Sequence, residues 1–225
     1  MNTPYRGCIF DLDGTLANTL DSIAYFANGA LAQFGLPTIP VQEYKLMVGN
    51  GADVLIARMA AHVGARLNEA ELAALRAEYD RRYESEPMKL VTPYPGIQAL
   101  LNELKERGIK TGVVSNKPDN MTRYLVEKLF GGAVGVVRGQ RPDTPKKPDP
   151  TAVLETAESF GLSPNEILYV GDSGVDMETG KNASMETCGV LWGFRGKEEL
   201  LSHGAVHLAE DAPALAEILR GSSPP

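Results

Sequence analysis

A chain of 225 residues with 43% hydrophobic and 23% charged positions can build one sizeable core with room for a smaller insertion, and is too apolar for a disordered polymer. Its 22 Lys and Arg stand against 29 Asp and Glu, a net charge of −7, and the basic residues are scattered, which argues against nucleic acid or an anionic membrane surface as partner. No run approaches the roughly 20 apolar residues of a membrane span, the start Met1-Asn2-Thr3-Pro4-Tyr5-Arg6 has no apolar signal segment, and Cys8 and Cys188 stand far apart in apolar runs, so the expectation is a cytoplasmic protein with two core thiols.

The first predicted strand, 6–11, runs out into Asp11-Leu12-Asp13-Gly14-Thr15-Leu16. Doubly wound sheets bind ligands beyond the carboxyl ends of their strands, and Gly14 permits a tight turn that gathers both acids and the Thr15 hydroxyl around one point. A carboxylate can attack phosphorus when a divalent cation neutralises the phosphoryl oxygens, and a second carboxyl can protonate the leaving oxygen. Two acids in one site have divergent pKa values, which suits a division into nucleophile and acid/base.

From residue 20 to about 86 the apolar spacing is helical throughout: Ile23, Phe26, Ala30 and Phe34, then Val54, Leu55, Met59 and His62, then Leu72, Leu75, Tyr79 and Tyr83. A crossover between parallel strands needs only one helix, so the segment 17–87 reads as an inserted helical unit, with 1–16 and 88–225 forming the main domain. Within it, the turn Gly49-Asn50-Gly51 opens a helix. Such a turn can present N–H groups to an anion, or serve as a plain turn and cap.

The Pro-rich stretch 86–96 leads back to a helix over 97–108 with Ile97, Leu100, Leu101 and Leu104 on one face. A strand over 110–115 then ends at Ser115-Asn116, a hydroxyl and an amide that can serve a phosphoryl group or cap a helix. A strand over 133–138 precedes Lys146-Lys147-Pro148-Asp149-Pro150, where Lys147 could oppose an aspartyl phosphate. The strand 167–171 delivers Asp172 and, four residues on, Asp176. Mg²⁺ takes one or two direct carboxylates, so Asp11 with Asp172 would suffice, leaving Asp176 to act through water or to orient its neighbours. Strands over 187–191 and, weakly, 205–208 follow, and 221–225 reads as a frayed tail. The alternation predicts an α/β fold: a Rossmann-like parallel sheet carrying an inserted α-helical subdomain.

On these residues the chain resembles haloacid dehalogenase superfamily phosphatases over essentially its whole length. Asp11 and Asp13 match the first motif of that family, Ser115 and Asn116 the second, Lys147 the third, and Asp172 with Asp176 the fourth. The spacing is similar to the branch with a helical cap between the first two motifs. The resemblance implies Asp11 as nucleophile and metal ligand, and Asp13 as acid/base that also binds the metal through its carbonyl. It implies Ser115 holding the phosphoryl group, Lys147 offsetting charge, Asp172 completing the Mg²⁺ ligands, Thr15 and Asn116 supporting at the substrate, and Asp176 behind the ligands. The run Val48 to Leu55 is similar to the cap loop of phosphoglycolate phosphatases, which makes Gly49, Asn50 and Gly51 candidate substrate-binding residues and 2-phosphoglycolate the first candidate among small phosphoester substrates. A sugar phosphomutase or a pyrophosphatase of the same superfamily is the alternative, a phospho-accepting signalling module the non-enzymatic one, and the assembly is expected to be a monomer or homodimer. His62, His203 and His207 lack metal-ligand spacing, and Trp192 reads as a packing residue.

Overall fold

In the computed structural model, which describes residues 5–221, the elements run in chain order β1 (Gly7–Phe10), β2 (Ala17–Asn18), α1 (Leu20–Gln33), α2 (Ala52–His62), α3 (Glu69–Ser85), β3 (Thr92–Pro93), α4 (Ile97–Glu106), β4 (Lys110–Pro118), α5 (Asp119–Phe130), β5 (Val136–Gln140), α6 (Thr151–Phe160), β6 (Ile167–Gly171), α7 (Gly174–Asn182), β7 (Glu186–Val190), α8 (Lys197–Ser202), β8 (His207–Ala209) and α9 (Ala212–Leu219). Six strands form one sheet in the order β5-β4-β1-β6-β7-β8, every pair parallel. β1 is buried along its whole length, as a central parallel strand covered on both faces must be. The order reverses on either side of β1, whose carboxyl end is therefore a topological switch point where an open α/β sheet binds ligands.

Residues up to Asn18 and from Pro93 onward make one unit, and Thr19–Thr92 makes a second. In the first unit, Ile9 and Tyr169 are register partners and pack with Val114, Val153, Phe160 and Ile167 in one buried hydrophobic layer. α4 contributes Ile97, Leu100, Leu101 and Leu104, all buried, at the spacing that puts four side chains on one helical face. Each such burial stabilises the fold by about 1.5–3 kcal/mol.

The second unit is helical: α1 buries Ile23, Phe26 and Ala30, α3 buries Leu75, Tyr79 and Tyr83, and Asn68 closes a reciprocal capping box with Glu71 at the start of α3. A 3₁₀ turn, Val41–Leu46, carries fully buried Tyr44, whose hydroxyl donates to Asn28 Oδ1 at 2.9 Å.

Three expectations need correction. The strand expected over 133–138 runs Val136–Gln140, because Gly131–Ala133 takes a 3₁₀ turn after α5. The strand expected over 110–115 continues to Pro118, so Ser115-Asn116 is strand and not a helix cap. Phe34 falls just past the end of α1 and is exposed. Cys8 and Cys188 are buried free thiols. The expected frayed tail, beyond its first residue, lies outside the described residues, and among those described no helix is long and apolar enough to cross a membrane.

Candidate active site

β1 stops at Phe10, and the Asp11 N–H donates to Val170 O at 2.9 Å, so Asp11 leaves the sheet still pinned to β6. The chain then turns on itself: the N–H groups of Leu16 and Ala17 donate to Leu12 O, and Gly14 N–H donates to Ala17 O. Gly14 has φ 89°, open to glycine at little cost. A Cβ there would also strike the Asp172 carboxylate, and one at Gly193 would strike Asp172 Cβ, so two glycines clear the space that Asp172 occupies.

The carboxylates of Asp11, Asp172 and Asp176 each offer an oxygen within 4.8 Å of the others, and all three residues are buried. Lys147 reaches them from the loop before α6, its Nζ 2.8 Å from Asp11 Oδ1 and 2.8 Å from Asp176 Oδ1, with a side chain 4% exposed. Asp176 Oδ2 accepts from the Ser173 N–H and hydroxyl, so both oxygens of Asp176 are engaged. Asp172 Oδ2 accepts from Phe194 N–H at 2.7 Å. One oxygen of Asp11 and one of Asp172 have no protein donor among the described residues' hydrogen bonds.

Burial pushes the Asp11 carboxyl up to about 7 against the pull of Lys147, with Asp176 adding to the rise. Burial, then the charges of Asp176 and Asp11, also raise Asp172 well above the usual carboxylate range. Burial opposes the charge on Lys147, but Asp11 and Asp176 hold its ammonium well above the ordinary lysine value. With Asp13 included, four carboxylates face two ammonium groups, Lys147 and Lys117. Excess buried negative charge and an all-oxygen donor set fit a hard divalent cation between Asp11 and Asp172.

Asn116 lies beside this cluster with an unexpected task. Its Oδ1 accepts from Lys147 N–H at 2.9 Å and its Nδ2 donates to Lys147 O at 3.2 Å, so the amide grips the backbone that carries the lysine. Ser115 is buried beside it in β4, and its Oγ accepts from Lys117 N–H. Thr15 is fully buried, its hydroxyl without a hydrogen-bond partner among the described residues and its carbonyl accepting from Trp192 Nε1 at 2.9 Å. Trp192 thus ties down the loop of the two acids as well as packing near Tyr94. Gly49, Asn50 and Gly51 belong to the other unit, where Gly49 (φ 112°) and Gly51 (φ 86°) shape the turn into α2.

The sequence model of haloacid dehalogenase-like hydrolases matches residues 8–190 of the chain. The chain belongs to the haloacid dehalogenase-like hydrolase family. Among its relatives are a phosphoglycolate phosphatase of Rhodospirillum rubrum, 34% identical over 95% of this chain and 90% of that protein, and an N-acetylmuramic acid 6-phosphate phosphatase of Pseudomonas aeruginosa, 31% identical over 92% and 91%. Among solved structures, a predicted phosphoglycolate phosphatase from Haemophilus somnus superposes with a TM-score of 0.88 at 27% identity, covering 96% of this chain and 97% of that one.

Sequence reasoning overlooked Lys117, Tyr169 and Ser173 in this hydrolase. Tyr169 places its hydroxyl 3.5 Å from Asp176 Oδ1, and Lys117 pairs with Asp13. An apolar strand ending in Lys carries no signal until the opposing acid is located in space. Ser173 could have been found, because Ser173 followed three residues on by Asp176 is a variant of the capping-box pattern.

Proposed function

We propose that this enzyme, a phosphatase of the haloacid dehalogenase-like family, hydrolyses a small phosphomonoester through a phosphoryl group carried on Asp11, with Mg²⁺ held by Asp11, the Asp13 carbonyl and Asp172. The observation that carries this reading is the junction of Asp11, Lys147 and Asp172 at the switch point of the sheet. Mg²⁺ bound there would neutralise the phosphoryl oxygens and keep the two buried carboxylates ionised.

In the first step an Asp11 carboxylate oxygen attacks phosphorus, the bond to the leaving oxygen breaks, and Asp13 gives that oxygen a proton. In the second, water attacks the phosphorus of the aspartyl phosphate and gives a proton to Asp13, which releases phosphate and restores the Asp11 carboxylate. Lys147 offsets the charge that gathers on Asp11 and the phosphoryl oxygens, and Ser115 donates to one of those oxygens. Asn116 and Asp176 hold Lys147 in place, and Thr15 supports the loop of the two acids.

The helical unit 17–87 acts as a cap that selects substrates, with N–H groups of Gly49, Asn50 and Gly51 receiving the part of the substrate away from the phosphoryl group. The Rhodospirillum rubrum relative supports 2-phosphoglycolate as that substrate. A phosphosugar is the second reading, favoured by the Pseudomonas aeruginosa relative. Phosphate release from both esters, pyrophosphate and other sugar phosphates, with Mg²⁺ and with EDTA, separates these. Asp11→Asn must abolish release while leaving the folded circular dichroism spectrum intact, and substantial residual turnover would refute Asp11 as nucleophile.

A further inference from the structure

Two lysines divide the acids of the core site. Lys147 takes Asp11 and Asp176, whereas Lys117 Nζ lies 3.1 Å from both Oδ1 and Oδ2 of Asp13. The last β1 partner of β4 is Val113, so β4 continues past the end of β1 and overhangs the loop that carries Asp13. Opposite β5 the register slips between Val114 and Pro118, which redirects this overhang.

Lys117 is mounted rigidly. Its N–H donates to Ser115 Oγ at 3.3 Å, its carbonyl accepts from Thr122 Oγ1 at 3.1 Å, and the same hydroxyl reaches the carbonyl of Pro118. The Lys117 side chain is 7% exposed and that of Asp13 is 12% exposed. A buried lysine with its backbone anchored in this way lacks the mobility that makes solvated ion pairs weak, and contact with both carboxylate oxygens restrains Asp13.

We propose that Lys117 is a positioning residue for Asp13: it holds the carboxyl where proton transfer to and from the reacting oxygens takes place, and has no part in the attack by Asp11. This rests on the reading of Asp13 as acid/base. The chemistry separates the two roles. A p-nitrophenolate leaving group departs without a proton, so transfer of its phosphoryl group to Asp11 is indifferent to Asp13. An alkoxide must be protonated as it leaves. Hydrolysis of the aspartyl phosphate needs Asp13 to accept a proton from water whichever ester was used.

The test is rapid-quench kinetics of the full chain with Mg²⁺, using p-nitrophenyl phosphate and an alkyl phosphate, on Lys117→Met, Lys117→Gln and Asp13→Asn. For Lys117→Met the account expects a p-nitrophenolate burst near the wild-type rate, then turnover slowed by about 10-fold or more, with phosphoenzyme accumulating. With the alkyl ester, kcat falls at least as far while KM stays within about twofold, and Lys117→Gln, which keeps one donor, falls between Lys117→Met and wild type. Loss of the p-nitrophenolate burst together with a raised KM on both esters would make Lys117 a ligand of the phosphoryl group and overturn the proposal, as would unchanged kinetics. If Lys117→Met does not fold, the same comparison on Lys117→Gln decides. Asp13→Asn keeps the two readings apart, because wild-type kinetics in that variant would sink Asp13 as acid/base independently of Lys117.

Discussion

Lys147 Nζ lies 2.8 Å from Asp11 Oδ1, across 136 residues of chain. The contact exists because the β1 loop and the loop before α6 open at the same end of one parallel sheet. The same ammonium serves Asp176 at equal distance.

Removing that ammonium leaves Asp11 and Asp176 buried beside Asp172 with no cation in contact. Lys147→Met is expected to cost about 3–5 kcal/mol in urea unfolding of the metal-free protein. The loss should be larger at pH 8 than at pH 5, where the acids can protonate. A cost under about 1 kcal/mol at both pH values would mean that the pair contributes nothing to the folded state.

The native carboxylates predict a pH dependence of their own. A folded-state pKa raised to about 7 on Asp11, with Asp172 raised as well, means that the folded protein binds protons that the unfolded chain releases near pH 4. Metal-free protein should therefore lose stability as pH rises from about 4 through about 7. Lys147 is raised and adds no change in that window, since its contribution fades only above the ordinary lysine range. Thermal melts in EDTA should show a falling Tm between pH 5 and pH 7.5, and Mg²⁺ should recover much of it at the higher pH. A Tm flat in EDTA, or unmoved by Mg²⁺, would contradict the assignment of the buried acids.

Space for Asp172 is the third target. A Cβ on Gly193 would overlap Asp172 and the Gly14 carbonyl, whereas a Cβ on Gly132 would meet open space. Gly193→Ala is expected to raise the Mg²⁺ concentration for half-maximal activity by about 10-fold or more, and Gly132→Ala to leave it unchanged. Equal behaviour of the two variants would mean that Asp172 tolerates displacement.

The parallel layout was legible in the alternation of apolar strand-like runs with helical patterns, and the site in three chemically loaded strings: Asp11 to Leu16 after β1, Ser115-Asn116 in β4, and Asp172 to Asp176 after β6. What stayed hidden was pairing between strings. Asn116 looked like a phosphoryl ligand or a cap, yet its amide holds the Lys147 backbone, a contact 31 residues away that no local pattern encodes. Lys117 lay beyond the expected strand end at 115, and only the length of β4 past Val113 brings it to Asp13. The shift of β5 was invisible for a related reason, since Val134 fits a strand by propensity and the Gly131–Ala133 turn came first.

Asp11 is the proposed carrier of the phosphoryl group. Enzyme mixed with p-nitrophenyl phosphate and Mg²⁺, quenched in acid within the first turnover and reduced with borohydride, should yield homoserine in place of aspartate at position 11 by peptide mass spectrometry, and at no other acid. Unmodified Asp11 in samples that have released a full equivalent of p-nitrophenolate, or reduction at Asp13 or Asp172 instead, would contradict the account.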